Sequence, residues 1–106
     1  MKYHGKMDEE CIELCDAMNS IPNIETIESC CGHGKDEFRV WFLAKKNKNL
    51  IALLNITNRY FYWNCFIDVD CDNKLFYKLQ SRSIGEMAYI QSSEIADCIY
   101  KYLEEG

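Results

Sequence analysis

The segment Glu37 to Ala44, E-F-R-V-W-F-L-A, constrains the fold more than any other part of the chain. In an extended backbone Phe38, Val40 and Phe42 fall on one side, and Trp41 and Leu43 fall on the other with Arg39. A strand with apolar residues on both sides belongs in the interior of a sheet, with a neighbour on each flank. The chain must therefore supply further strands, and helices to cover at least one face.

Candidates for both are present. A strand rich in β-branched residues, about Ile24 to Cys30, precedes this segment across the loop Cys31–Asp36. Two later stretches alternate as strands do. About Tyr60 to Val69 sets Phe61, Trp63, Cys65, Ile67 and Val69 to one side, and about Lys74 to Gln80 aligns Leu75, Tyr77 and Leu79. Between them Asp70-Cys71-Asp72-Asn73 reads as a hairpin turn. Asp8 is placed to cap a helix whose first turn carries Glu9 and Glu10 and whose apolar face is Cys11, Leu14, Cys15 and Met18. Asn19-Ser20-Ile21-Pro22 ends it. Lys45–Asn49 forms a turn, with Asn47 or Asn49 as cap to a second helix that runs to about Asn58. A last helix covers Ser93 to Glu104 on Ile95, Ile99, Tyr102 and Leu103. Ala88 and Gln91 continue its stripe, so its start lies anywhere from Glu86 onward. Residues 1–6 read as a loose start, and Gly106 closes the chain.

The expected class is α+β in the order α-β-β-α-β-β-α: one mostly antiparallel four-stranded sheet with helices packed on one face. The 106 residues amount to a single domain, 1–106. A net charge of −5 disfavours non-specific binding to nucleic acid. Lys45, Lys46 and Lys48, with Lys35 nearby, make the best basic patch, and a solvated turn accounts for it. No stretch approaches the roughly 18 apolar residues of a membrane span. With no secretory signal, the seven cysteines are expected as free thiols in a reducing, cytoplasmic setting, an odd count excluding complete pairing.

The densest chemistry is Glu28–Gly34, E-S-C-C-G-H-G, where a strand meets a turn containing two glycines. Gly32 and Gly34 permit positive φ and close backbone approach. Strand alternation places Ser29, Cys31 and His33 on one side and Glu28 and Cys30 on the other, with Cys30 turned into the core and less accessible than Cys31. A turn beginning at Cys31 would change that assignment. Cys31 and His33 are then the natural pair. They are candidate zinc ligands, completed by Cys30, Cys65, Cys71 or a carboxylate. Alternatively His33 activates a neighbouring thiol as a nucleophile. Ser29, Gly32, Arg39 and Lys35 would supply hydrogen bonds or positive charge to a bound group.

The other cysteines read as core: Cys11 and Cys15 one helical turn apart, Cys65 beside Trp63 and Ile67, Cys98 on the last helix. Cys71 alone is expected to be exposed. Asp68-x-Asp70-x-Asp72-Asn73 matches the opening of a calcium loop but lacks glycine at the sixth position and glutamate at the twelfth. Tyr60, Tyr62 and Trp63 offer rings for stacking bases or sugars, although strand aromatics more often fill a core. His4 is expected to be solvated.

From Ile21 to Gly34 the chain resembles a group of small uncharacterised bacterial and phage-type proteins with a pattern close to I-P-x-I-x-T-x-x-S-C-C-G-H-G. In that group an aromatic strand such as Phe38–Phe42 follows. The resemblance implies a recurring domain and carries no activity. A remoter likeness is to the wybutosine-synthesis methyltransferase family, through Thr26, Ser29, Cys30 and Gly32. Here the spacing from Thr to Ser is longer by one, and the chain is shorter than that family's domain, so methyl transfer is not expected. Three functions stay open: an accessory binding or regulatory domain using the Cys31–His33 loop, a small thiol- or zinc-dependent enzyme using the same loop, and a homodimeric interaction protein whose motif is a structural turn.

Overall fold

The computed structural model describes residues 7–105. The expectations for residues 1–6, His4 and Gly106 lie outside them. Helix α1 (Glu9–Asn19) leads into β1 (Ile24–Cys30) and β2 (Glu37–Ala44); α2 (Lys48–Leu54) continues as a π-helical turn over Asn55–Tyr60; β3 (Asn64–Val69), β4 (Leu75–Ile84) and α3 (Glu86–Glu105) complete the chain. The four strands form one antiparallel sheet in the order β1-β2-β4-β3. This is the expected α+β order, with β2 inside the sheet.

Phe38, Val40 and Phe42 of β2, and Tyr77 and Leu79 of β4, are buried with Leu14 and Met18 of α1, Leu53 of α2, and Ile95 and Ile99 of α3. The alternate residues Arg39 and Trp41 are half-buried and Leu43 is exposed, so the helices cover one face and leave the other open. Trp63 is fully buried, its ring centroid 5.5 Å from that of Phe38 and its indole N–H donating to Gln91 Oε1 (3.0 Å). It is therefore core, while Tyr60 and Tyr62 are exposed.

Several boundaries differ from expectation for local reasons. β3 begins at Asn64, because Tyr62 has φ +62° and the Trp63 N–H donates back to Thr57 O at 2.9 Å, closing the π turn. β4 extends past Gln80 to Ile84 because its far half pairs with β2, Glu37 lying opposite Ile84. Asn47 is the cap of α2: its Oδ1 accepts from the N–H groups of Asn49 (2.9 Å) and Leu50 (3.4 Å). Lys35 and Lys45 lie beyond opposite ends of β2 and share no patch.

The change that matters most for the site is a bulge in β1. Its pairing with β2 shifts between Thr26 and Glu28, so Ile27 is the extra residue. Ile24 and Thr26 face the helices, but after the bulge the inward positions are Ser29 and Cys31 rather than Glu28 and Cys30.

Candidate functional site

Cys31 leaves the strand with helical dihedrals (φ −77°, ψ −6°), and the next three residues all have positive φ: Gly32 +82°, His33 +52°, Gly34 +78°. Two of these are glycines, as a left-handed path requires. A Cβ on Gly32 would stand 2.8 Å from the Glu37 carbonyl oxygen, so this turn presses against the start of β2. His33 is held in a conformation that costs a non-glycine residue about 1 kcal/mol or more, and such strain gathers at functional turns.

The turn folds the His33 side chain back toward Cys31. The Cys31 Sγ lies 3.8 Å from His33 Nδ1, and the His33 N–H donates to the same sulfur at 3.4 Å. Asp8, at the N-terminal cap position of α1, makes no capping bond with its side chain. Its Oδ2 instead accepts the Cys31 N–H (3.1 Å) and lies 3.9 Å from His33 Nε2. The ligand atoms of Asp8, Cys31 and His33 all lie within 4.8 Å of one another, the one such Cys/His/carboxylate group among the described residues. From α3, the Tyr89 hydroxyl interacts with the Cys31 thiol, and this pushes the tyrosine pKa up.

The electrostatics differ across the group. The bond from the Cys31 N–H holds the Asp8 carboxyl below its ordinary value, and Cys31 Sγ and His33 add to the effect against some desolvation. Burial pushes the Cys31 thiol up, opposed by the His33 N–H and Tyr89, with the Asp8 carboxylate raising it further. Cys31 is 3% exposed, whereas the His33 side chain is 69% exposed. The group is therefore open to solvent on the His33 side and closed on the side of the sulfur.

The expected burial of the two cysteines is reversed. Cys31 belongs to the core and Cys30 is half-buried. The parity of the strand held, with Ser29 and Cys31 on one side, but the bulge made that side the inward one. Cys30 Sγ instead accepts from Arg39 (3.4 Å) and from the Gly32 N–H (3.4 Å). Arg39 lies over Trp41, 5.7 Å from the ring centroid, on the open face. The Ser29 hydroxyl is buried near the thiols of Cys11 and Cys15, whose pKa values it lowers against burial, although it makes no hydrogen bond of good geometry. Of the residues expected at the site, the turn brings together Cys31, Gly32 and His33. Ser29 lies beneath them and Arg39 on the other side of the sheet.

Neither distant partner proposed for a metal reaches this turn. Cys71 is exposed in the β3–β4 turn, at the end of the sheet opposite Cys31, and half-buried Cys65 lies on edge strand β3. Asp70 Oδ1 accepts from the Asp72 and Lys74 N–H groups (2.8 and 3.0 Å), so the aspartates there build a turn. Two residues of the site were not expected. Asp8 was readable as a helix cap, a carboxylate at the right element but with a different partner. Tyr89 carried no sequence signal. All seven cysteines are free thiols, and no helix among the described residues is long and apolar enough to cross a membrane. No family model, no curated protein and no solved structure matches the chain.

Proposed function

We propose that this chain is a zinc-binding accessory or regulatory domain, of the phage-type group its motif resembles, with the Glu28–Gly34 loop as its functional site. Asp8, Cys31 and His33 would be the protein ligands. The observation that carries the reading is the convergence of three different ligand types, from α1 and from a left-handed turn, within 4.8 Å. Thiolate, imidazole and carboxylate are all good zinc ligands, and the bond lengths of tetrahedral zinc hold its ligand atoms roughly 3.3–3.8 Å apart. The 3.8 Å contact of the sulfur is to Nδ1 and the 3.9 Å contact of Asp8 is to Nε2, so zinc would draw one nitrogen of the exposed His33 ring toward both neighbours. The His33 N–H and the Tyr89 hydroxyl would then support the metal-bound sulfur from behind. Three protein ligands leave a fourth position for water, a small anion or a group from a partner. A free nucleophilic thiol is the weaker reading, because burial of Cys31 favours its neutral form. Free thiols throughout suit a reducing cytoplasm.

The test is metal analysis of protein purified without a histidine tag, followed by cobalt titration. About one equivalent of zinc is expected, together with a sulfur-to-cobalt charge-transfer band. Cys31→Ser should abolish the band and His33→Ala should weaken binding. Metal-free protein that gives no cobalt band, or a band that survives Cys31→Ser, would refute the reading.

A further inference from the structure

Edge strand β3 pairs with β4 in unbroken register from Asn64 to Val69. The Asp70 N–H donates to Lys74 O (3.0 Å), which makes that pair hydrogen-bonded. By antiparallel alternation the main-chain groups of Asp68, Phe66 and Asn64 then point to β4, and those of Cys65, Ile67 and Val69 point to the open edge. The flanks of that edge are already satisfied. The Val69 N–H donates to Asp68 Oδ1 (2.8 Å), the Trp63 N–H donates to Thr57 O (2.9 Å), and the Trp63 carbonyl accepts from Asn58 Nδ2 (3.0 Å). Cys65 and Ile67 are left with main-chain donors and acceptors facing outward. β3 holds no lysine, proline or bulge and its one charge is Asp68, while Phe66 and Ile67 are 45% and 65% exposed.

We infer that this edge pairs with the same edge of a second copy of the chain, antiparallel about a two-fold axis through Phe66, to give one continuous eight-stranded sheet. In that register Cys65 and Ile67 of each copy exchange main-chain hydrogen bonds with Ile67 and Cys65 of the other. These are the groups left free. Phe66 meets its own counterpart at a close, non-hydrogen-bonded position, with the Lys78 ammonium 4.8 Å from each ring centroid. Asn64 and Asp68 flank Phe66 at equal distance on the open face. Asn64 Oδ1 accepts from the Arg82 guanidinium (3.3 Å). Antiparallel pairing therefore sets this basic end of one edge against Asp68 of the other, twice. The charge pattern is complementary to itself, and this selects a second copy over an unrelated strand. The surface is independent of the Asp8–Cys31–His33 group.

Sedimentation equilibrium of the untagged full chain tests the inference. A dimer is expected, and Ile67→Lys, at an exposed position, should weaken it by about tenfold or more. Asp68→Arg and Arg82→Asp should each weaken the dimer, and the two together should restore it. Circular dichroism of each variant checks that the fold is retained. A chain that stays monomeric at roughly 0.5 mM overturns the inference. So does a dimer indifferent to Ile67→Lys, or a charge-swapped double variant no tighter than its parents.

Discussion

The two hairpin turns of the sheet, Cys31–Asp36 and Asp70–Asn73, both look chemically promising in sequence, yet they end as different objects. The second holds two aspartates and an exposed cysteine, and its Asp70 carboxylate is spent on the N–H groups of its own turn. The first lies against the N-terminal ends of α1 and α3, so that Asp8 accepts the Cys31 N–H and Tyr89 interacts with the Cys31 thiol. Polar density in a turn does not make a site; ligand atoms arriving from separate, rigid elements do. The first turn also rests on a layer of buried thiols, whereas the second stands in solvent.

That layer gives the largest expected difference. Burial pushes Cys11 up to about 12 and Cys15 up to about 11, against roughly 8.5 in an unfolded chain. Both folded values are raised, so their contribution to stability is complete below about pH 8.5 and is lost as the pH climbs through the folded values. At about 1.4 kcal/mol per unit, several kcal/mol are at stake. Denaturant midpoints measured from pH 8 to 11 should fall steeply in the wild type and in Cys71→Ser. They should fall less in a Cys11→Ala, Cys15→Ala double variant, where Cys65, also pushed up to about 11 by burial, keeps part of the slope. An equally steep fall in the double variant would place the alkaline weakness elsewhere.

Next in size is Gly32→Ala, which adds a Cβ 2.8 Å from a backbone oxygen at φ +82°. A loss of roughly 2–3 kcal/mol is expected from strain and displacement together, read as a shift in thermal or denaturant midpoint. Asp8→Asn sharpens the contrast in ligation: cobalt affinity should drop about tenfold, or 1.4 kcal/mol, while Asp70→Asn leaves it unchanged. Equal effects of the two would mean that Asp8 is no ligand. Gly34→Ala should cost about 1 kcal/mol, since its φ is +78° but nothing stands within 4 Å of the new Cβ. If it proves as harmful as Gly32→Ala, close contact with Glu37 is not what distinguishes the two glycines. The smallest effect belongs to Asp70→Ala, a loss of about 0.5–1 kcal/mol from two exposed hydrogen bonds in the second turn.

Much of this architecture could be read from local pattern. The two-sided apolar character of Phe38 to Leu43 requires a flanked strand, and β2 is one. Helical spacing of Cys11, Leu14, Cys15 and Met18 set the buried face of α1, because that periodicity and burial share one physical origin. Two glycines around His33 announced a left-handed turn, and both have positive φ. The pairing of Cys31 with His33 followed from their spacing, although a helical Cys31 and a left-handed His33 bring them together rather than an extended strand.

What could not be read locally concerns orientation and distance along the chain. Ile27 is an ordinary strand residue, and nothing in its type announces that it is the bulged one. Its extra position nonetheless decides that Cys31 faces the core and Cys30 faces Arg39. A one-residue shift reverses every later side chain, so the error spreads to the whole motif. Asp8 is equally ambiguous: a carboxylate before a helix satisfies the rule for a cap whether it bonds its own helix or a neighbour's N–H, and only the docking of α1 beside the turn selects the second. Tyr89 reaches Cys31 because α3 packs against α1 over the sheet, a contact between distant segments that no spacing within either one encodes. The local pattern specified which elements form and which faces they bury; the packing of those faces specified which atoms meet, because ligand geometry depends on ångström-scale positions that hydrophobic periodicity does not carry.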